Sequence, residues 1–198
     1  MEPPFVKAVA YGSYEGGLRD LIHMLKYQQV RPAANVLGRM LAEAMAGLEP
    51  SLGETHLLVV PVPLHSAKLR QRGFNQSELI ARIALKLSAS RDRYSLCDVL
   101  DRTRRTLSQI GLTRHQRREN MRGAFRVKSP EKISRHAILL VDDVFTTGTT
   151  VSECARVLRR AGAGQVWVAT VARTLKVDAQ HAHLEPDADP SMTMAAHG

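Results

Sequence analysis

Apolar residues recur at helical spacing in several stretches of the chain. The pattern predicts amphipathic helices over 18–27 and 33–46, with Pro32 in the first turn of the second. Two later helices are indicated by the faces formed by Leu79, Ile80, Ile83, Ala84 and Leu87, and by Val151, Cys154, Ala155 and Leu158. A short helix is expected from Thr113, and Gly162 is a natural stop for the last helix. The chain is thus expected to open with two helices.

Buried strands are predicted where β-branched and apolar residues run together. The segments 55–63, 136–141 and 165–172 have this character, and 95–100 has it over a shorter length. A basic loop, HSAKLRQRGFNQ, is expected between the first strand and the helix that follows it. Strands that alternate with helices predict an α/β fold with a mostly parallel sheet.

Composition narrows the kinds of partner. The length of 198 residues suits one domain, and 44% hydrophobic residues allow a sizeable core. A formal net charge of +9 favours anionic partners, which include phosphorylated metabolites, nucleic acid and anionic membranes. Aromatic residues, at 5%, are too scarce for a base-stacking surface of the RNA-recognition type.

The cysteines and the first residues indicate in which cellular compartment the protein is expected. Cys97 and Cys154 are the two cysteines, and the lack of a CxxC pair excludes a structural zinc knuckle. The opening MEPPFVKAVAYGSYEGG does not have the order of a secretory signal, and no apolar run approaches the length of a membrane span. We therefore expect a reduced, cytoplasmic protein.

Candidate chemistry is concentrated in residues 138–151, which read ILLVDDVFTTGTTV. Asp142 and Asp143 are expected at the carboxyl end of a strand, where ligands bind in open α/β sheets. The TTGTT loop then opens a helix, whose free N–H groups and dipole favour an anion. Gly148 permits a close backbone approach or a positive φ, and hydroxyl donors come from Thr146, Thr147, Thr149 and Thr150. A phosphate site beside acceptors for a sugar diol describes a ribose 5-phosphate.

The segment 138–151 also has a purely structural interpretation, because two aspartates and a threonine can simply end a strand and begin a helix. The chain has no GxxxxGK[ST] and no GxGxxG after a strand, which excludes a P-loop and a dinucleotide site. The carboxylates could also help to hold a divalent cation. The complete arrangement favours a functional site more than either half alone would.

The same segment carries a family resemblance. ILLVDDVFTTGTT resembles the phosphoribosyl-pyrophosphate (PRPP) signature of type I phosphoribosyltransferases, with Phe145 where a smaller aliphatic residue is usual. The segments VVPVPLHSAKLRQRGFNQSELIA and RTRRTLSQIGLTRHQRRENMRGAF are similar to the ComF family of competence-type proteins. So are the Arg173–Thr174 pair and the helix LRDLIHMLKY with its Lys26. The resemblance covers about Tyr11 to Thr174 and implies a type I phosphoribosyltransferase-like fold, with a mostly parallel sheet flanked by helices.

The resemblance also implies roles for individual residues. Asp142 and Asp143 would be the catalytic acid pair and bind the ribose 2′ and 3′ hydroxyls. The 5′-phosphate would be held by Thr146, Thr147, Gly148, Thr149 and Thr150, and the pyrophosphate would face Pro63, Leu64 and His65. Mg²⁺ would arrive with the pyrophosphate, mostly through substrate and water oxygens, so no metal site made by the protein is expected.

An arginine-rich stretch over 102–126 lies where the family fold carries a mobile loop over the site. It holds eight arginines and a single acid, Glu119. The resemblance implies a basic lid formed by Arg104, Arg105, Arg114, Arg117 and Arg118. We expect this stretch to be partly mobile without ligand, because like charges repel and apolar anchors are few.

The expected organisation is one domain with a tail. Residues 1–174 are predicted to form the phosphoribosyltransferase-like domain, including the helices within 18–46, and 175–198 a disordered tail without periodicity. ComF proteins commonly begin with a cysteine-rich zinc module, which this sequence lacks. No pocket for an acceptor base is evident either.

Three functions remain open from the sequence. The chain transfers the 5-phosphoribosyl group of PRPP to an unknown acceptor, or it senses PRPP without turnover. The alternative from another class is a factor for uptake of single-stranded DNA, in which the arginines follow the nucleic-acid backbone and PRPP regulates. A solvated basic loop is the plain explanation of those arginines. PRPP or ribose 5-phosphate is the expected partner, with single-stranded DNA and a homo-oligomer as open alternatives.

Overall fold

The structure, a computed structural model, describes residues 2–104, 106 and 113–175, without the side chains at 114, 115 and 118. The strands are β1 Ala8–Ser13, β2 Leu57–Pro61, β3 Tyr94–Leu96, β4 Leu100–Arg102, β5 Phe125–Val127, β6 Ala137–Phe145 and β7 Val166–Arg173. The helices are α1 Gly16–Tyr27, α2 Ala33–Ala46, α3 Glu49–Leu52, α4 Ser66–Arg72, α5 Gln76–Leu87, α6 Arg114–Met121 and α7 Thr149–Arg160. Arg105 and nearly all of the tail predicted over 175–198 lie outside the described residues.

Five strands form one sheet in the order β1-β7-β6-β2-β3, and every pair in it is parallel. The strand β6 lies in the middle, with Pro61 of β2 opposite Val141 on one side and Thr170 of β7 opposite Asp142 on the other. A second, two-stranded sheet pairs β4 with β5 antiparallel. The α/β fold with a parallel sheet, predicted from the alternation of strands and helices, is confirmed.

Both faces of the central sheet are covered, so β6 is apolar on both sides. Leu139 and Val141 belong to the cluster formed with α1, α2 and α5, whereas Ile138 and Leu140 belong to the cluster with α7 and the β4–β5 sheet. Adjacent side chains of a strand point to opposite faces, and a parallel strand covered by helices therefore reads as a continuous apolar run. This explains why β6 was evident from sequence.

Several boundaries differ from those that the sequence predicted. The chain opens with the strand β1 and not with two helices, because Ala8 to Ser13 pair with β7. The predicted basic loop after β2 contains the helix α4, which begins after His65 and ends at Gly73 with φ +80°. Its one large apolar side chain, Leu69, is 41% exposed, so α4 has no apolar face for a periodicity search to detect.

The strand β6 also continues beyond its predicted end. It runs through Asp142 and Asp143 to Phe145, because β7 continues beside it as far as Arg173. The two carboxylates therefore lie within the last paired residues of the strand and not after it. No helix among residues 2–104, 106 and 113–175 is long and apolar enough to cross a membrane.

Candidate functional site

The acid pair lies near the carboxyl end of β6, with its two side chains on opposite faces of the strand. Asp143 is 4% exposed, and its Oδ2 lies 2.8 Å from Nζ of Lys26 on α1. Burial lowers the pKa of Lys26, but the charges of Asp143 and Asp142 outweigh it, so the pKa lies above its ordinary value. Lys26 therefore supplies a permanent positive charge at the acid pair.

Asp142 is partly buried and has a different set of partners. Its Oδ1 accepts hydrogen bonds from Oγ of Ser77 and from the backbone N–H of Asp143, each at 3.0 Å. Burial, and then the charge of Asp143, raise the pKa of Asp142 to about 7, against the opposing effects of Lys26 and Ser77. The pair is thus able to hold a proton near neutral pH.

The TTGTT segment, Thr146 to Thr150, is called the hydroxyl loop here, and it forms a tight turn between β6 and α7. Gly148 has φ +73°, and a Cβ there would lie 2.6 Å from Cζ of Phe145, so the turn needs glycine for its backbone angle and for space. Phe145 also packs edge-on against Phe5, with ring centroids 6.2 Å apart. Phe145, the residue that departs from the usual signature, therefore packs directly against Gly148 in this loop.

Thr174, the residue that follows β7, holds the hydroxyl loop in place through two hydrogen bonds. Its Oγ1 donates to the carbonyl of Thr146 at 3.1 Å, and its N–H donates to the carbonyl of Phe145 at 3.0 Å. Within the loop, the Oγ1 atoms of Thr147 and Thr149 lie 2.9 Å apart. The first N–H groups of α7 have no partner within the helix, as in any helix. The loop thus presents N–H and O–H donors together.

The predicted pyrophosphate segment lies beside the same end of the sheet. The N–H of Val62 donates to the carbonyl of Val141 at 2.9 Å, which carries Pro63 and Leu64 along the end of β6. Nδ2 of Asn75 donates to the carbonyl of Val62 at 3.0 Å, and His65 accepts from the N–H of Ala67. Pro63, Leu64 and His65 therefore follow β2 at the carboxyl end of the sheet, which is also the end of β6 where the acid pair lies. That they face a pyrophosphate stays a prediction.

The arginine-rich stretch is better anchored at its ends than its charge suggested. Met121, Ala124 and Phe125 are buried in the core beside α7, so apolar contacts anchor the end of the stretch that leads into β5. Arg104 donates to the carbonyls of Asn120 and Arg122 at 2.7 and 2.9 Å. Its guanidinium therefore joins the chain just after β4 to the chain just before β5. Arg117 is partly exposed, whereas Arg105 and the side chains of Arg114 and Arg118 lie outside the described residues.

Two residues near the acid pair were not singled out from sequence. Ser77 is 1% exposed at the start of α5, and Arg72 is 7% exposed at the end of α4. Burial lowers the pKa of Arg72, and the nearby charge of Asp143 opposes this effect. The signal that could have found them is the segment RGFNQS, which places an arginine and a serine on either side of a turn. The serine bonds to Asp142.

A cavity of about 450 Å³ lies at β3 and the end of α5, lined by Leu85, Lys86, Arg91, Asp92, Tyr94 and Ser95, and it contains none of the site residues. Among the residues that the structure describes, no three His, Cys, Asp or Glu side chains come together as a metal site.

Comparison with known proteins identifies the family of the chain. The family model for the phosphoribosyl transferase domain matches residues 77–195, which include the acid pair and the hydroxyl loop. The chain belongs to the phosphoribosyl transferase domain family. The expected type I phosphoribosyltransferase-like fold is therefore confirmed.

Similarity to particular relatives places the chain in the competence branch of this phosphoribosyl transferase family. It is 35% identical over 175 residues to the DNA utilization protein YhgH of Escherichia coli K12, which covers 87% of this chain and 74% of the relative. It is 33% identical over 178 residues to Competence protein F of Haemophilus influenzae, covering 87% and 75%. The ComF resemblance is thus confirmed. A solved hypoxanthine phosphoribosyltransferase from Staphylococcus aureus shows a TM-score of 0.37 at 16% identity, covering 77% of this chain and 72% of that one.

Proposed function

We propose that the chain binds PRPP at the carboxyl end of β6 and transfers its 5-phosphoribosyl group to an acceptor. The observation that carries this proposal is the continuous unit from Asp142 to Thr150. Acceptors for hydroxyl groups and donors for a phosphate follow one another there around the glycine turn at Gly148. A ribose 5-phosphate carries the complementary groups, a sugar diol and a phosphate, at opposite ends of one small sugar.

The phosphate would be held by the loop Thr146–Thr150. Hydroxyl groups and helix N–H groups are good donors to an anion, and the dipole of α7 adds to the attraction. Because Thr174 and Phe145 hold the loop in place, little order has to be gained when the phosphate binds. The loop is therefore preorganised for this task.

The sugar would be held by the acid pair. A carboxylate has about four lone-pair sites, so Asp142 and Asp143 can accept from ribose hydroxyls in addition to Ser77 and Lys26. Lys26 lowers the cost of bringing an anionic ligand towards two acids. Asp142 and Asp143 would thereby orient the C1 atom of the sugar.

In the transfer, the bond from C1 to the pyrophosphate oxygen breaks and its electron pair leaves with the pyrophosphate. The acceptor's lone pair forms the new bond at C1, and an acceptor that carried a proton there releases it. Mg²⁺ bound to the pyrophosphate would neutralise the charge of the leaving group, held through substrate and water oxygens beside the acids. The chain itself contributes positioning and fixed charge.

A thermal-shift titration with PRPP and Mg²⁺ tests the binding. Ligand at about a hundred times its dissociation constant adds roughly 2.7 kcal/mol, and each kcal/mol moves Tm by roughly 2–4 °C for a chain of this size. We expect a rise of about 5–10 °C, and a smaller one with ribose 5-phosphate. Thr147→Val should reduce it, whereas Thr55→Val, the same change on an exposed residue before β2, should not. No rise with the wild-type chain would refute the proposal.

Two related functions are separated by further measurements. Release of pyrophosphate in the presence of acceptor candidates distinguishes transfer from sensing without turnover. The names of the relatives, DNA utilization protein and Competence protein F, together with the net charge of +9, favour a second function in binding single-stranded DNA. Competition between PRPP and a single strand for one preparation tests whether the two share a surface.

A further inference from the structure

Four hydrogen bonds link Val141 to the next residue, Asp142, by way of β2 and α5. The N–H of Val62 donates to the carbonyl of Val141 at 2.9 Å, and the carbonyl of Val62 accepts from Nδ2 of Asn75 at 3.0 Å. Oδ1 of Asn75 accepts from the N–H of Ser77 at 3.1 Å, and Oγ of Ser77 donates to Oδ1 of Asp142 at 3.0 Å. We call this closed path the hydrogen-bond ring.

Asn75 joins two elements in the ring because its amide group both donates and accepts. It is the residue before α5, with an extended backbone at φ −93° and ψ 114°, and its oxygen caps the helix by accepting from Ser77. Its NH₂ group binds the end of β2 at Val62 at the same time. Serine caps a helix as well as asparagine does, but its side chain is too short to reach both partners. A helix cap alone would not require asparagine at this position.

Ser77 transmits this attachment to the acid pair. It is 1% exposed, so water does not compete for its hydroxyl. Its N–H is bound by Asn75, and its side chain therefore leaves α5 in a fixed direction. Oδ1 of Asp142 accepts both from Ser77 and from the N–H of Asp143, so Oδ2 is the oxygen available to a ligand.

We propose that Asn75 and Ser77 are positioning residues of the PRPP site. Asn75 fixes the start of α5 to the end of β2, and Ser77 thereby turns Oδ2 of Asp142 towards a ribose hydroxyl. Neither residue has to touch the sugar, because both act through the carboxylate. This inference rests on the proposed function, since it assigns how the sugar-binding carboxylate of that function is oriented.

The proposal predicts different effects on two parts of the ligand. Ribose 5-phosphate uses both the hydroxyl loop and the acid pair, whereas inorganic phosphate uses the loop alone. A variant that releases the carboxylate of Asp142 should therefore weaken the sugar phosphate and leave inorganic phosphate unaffected. General damage to the fold would weaken both ligands.

Titrations of the full chain with ribose 5-phosphate and with inorganic phosphate, followed by ³¹P NMR, measure these effects. Ser77→Ala removes the donor to Asp142 and suits a helix, whereas Asn75→Ser keeps a good cap but cannot reach Val62. Each variant should bind ribose 5-phosphate about tenfold more weakly, the size of one hydrogen bond to a charged group. Each should bind inorganic phosphate as the wild-type chain does. Equal weakening of both ligands, or of neither, would overturn the proposal.

Matched controls make the same substitutions at exposed positions outside the ring. Asn35→Ser on α2 and Ser51→Ala on α3 should leave both affinities unchanged. A loss of ribose 5-phosphate affinity in these controls as large as in the ring variants would refute the positioning role. Urea unfolding shows which variants are folded, and Ser77→Ala carries the test where Asn75→Ser does not fold.

The ionisation of Asp142 reports on the ring without any ligand. Burial, and then the charge of Asp143, raise the pKa of Asp142, and the bond from Ser77 opposes them because it favours the charged carboxylate. The other ionisable groups near this carboxylate lie on β6, α1, β4 and α7: Asp143, Lys26, Arg102 and Cys154. Ser77→Ala and Asn75→Ser leave these groups in place. Each should shift the midpoint of the carboxyl ¹³C titration of Asp142 to higher pH, and an unchanged midpoint in Ser77→Ala would overturn the proposal.

The PRPP thermal shift of the wild-type chain separates this inference from the proposed function. A normal shift, together with ring variants whose ribose 5-phosphate affinity and titration midpoint are those of the wild type, refutes the positioning role alone. Absence of the shift refutes the proposed function. The midpoint, which needs no ligand, then still shows whether Asn75 and Ser77 hold the carboxylate of Asp142.

Discussion

The ammonium group of Lys26 lies 2.8 Å from the carboxylate of Asp143, and the contact joins α1 to the centre of the sheet. The side chains are 18% and 6% exposed, so the ion pair is largely removed from water. Two carboxylates in succession on a buried strand would repel each other strongly without a nearby cation. The first helix therefore contributes directly to the electrostatics of the acid pair.

Replacing Lys26 by methionine should destabilise the fold. The substitution keeps much of the packing volume and leaves Asp143 buried without its cation, which costs about 3–5 kcal/mol in comparable buried pairs. Urea unfolding of Lys26→Met measures this cost. The double variant Lys26→Met with Asp143→Asn should recover part of it, because the remaining group is neutral.

The matched control for this prediction is Lys86→Met on α5, whose side chain is exposed near the last turn. Exposed ion pairs and single surface charges contribute little, so this variant should unfold like the wild-type chain. Equal stability of Lys26→Met and Lys86→Met would contradict the buried pair.

Gly148 offers a test of the loop that separates backbone strain from crowding. Gly148→Ala should destabilise by the cost of a positive φ and, in addition, by contact of its Cβ with Phe145. Gly123 is the matched site, since it has φ +67° with nothing within 4 Å of an added Cβ. Gly123→Ala should thus cost about 1–2 kcal/mol, and Gly148→Ala clearly more.

The same variants report on ligand binding. Gly148→Ala should also reduce the PRPP thermal shift, because the displaced loop no longer aligns its donors with the phosphate. Gly123→Ala, whose added Cβ would contact nothing within 4 Å, should reduce the shift less than Gly148→Ala does. A Gly148→Ala chain with the stability and PRPP response of Gly123→Ala would show that Phe145 does not support the loop.

The glycine turn between β6 and α7 could be predicted because the residues that define it lie in one uninterrupted segment. Val141, Asp143, Gly148 and Thr150 are close in sequence, and each residue type limits the local backbone or chemistry. The strand was recognised from its continuous apolar run, which is what burial on both faces requires. Local pattern and fold agree in this part of the chain.

The contacts that complete the site could not be predicted in the same way. Lys26 meets Asp143, and Ser77 meets Asp142, only after α1 and α5 have packed against the sheet. The strand β1 was missed because the sequence AVAYGS ends in glycine and serine, and its pairing with β7 is what makes it a strand. Contacts between residues far apart in sequence, which a local pattern does not reveal, determine these features.

Asp142 should make the stability of the chain depend on pH. Its pKa is raised from 3.8 to about 7 in the folded state, so the folded chain binds more protons than the unfolded chain between these values. Stability therefore falls as pH rises through this window and then levels off. Asp142→Asn removes the charge but keeps an oxygen that can accept from Ser77 and from the N–H of Asp143.

Thermal unfolding at several pH values measures the effect. At about pH 8 the Asp142→Asn chain should melt several degrees above the wild-type chain, and near pH 4 the difference should vanish. The control is Asp92→Asn, the same change on a fully exposed side chain. A difference between the Asp142→Asn and wild-type chains that does not change with pH would contradict the raised pKa.

The basic charge of the chain predicts weak binding of single-stranded DNA that depends on salt. Affinity should fall steeply as salt rises, with a logarithmic slope of about −0.7 for each phosphate contacted, and should show little preference for sequence because aromatic residues are few. Fluorescence anisotropy with labelled strands at several salt concentrations measures this. Affinity that does not change with salt would rule out binding driven by phosphates.

Charge reversal locates the surface for this binding. Changing Arg105, Arg117 and Arg118 together to glutamate should abolish it, and Arg104 is left unchanged because it bonds to the carbonyls of Asn120 and Arg122. The matched control reverses three exposed arginines elsewhere: Arg39, Arg91 and Arg135. Both variants lose the same net charge, so a nonspecific effect of charge would weaken them equally. Loss of binding in the first variant alone would place the nucleic acid on the arginine-rich stretch, and equal loss in both would remove that stretch from consideration as a specific surface.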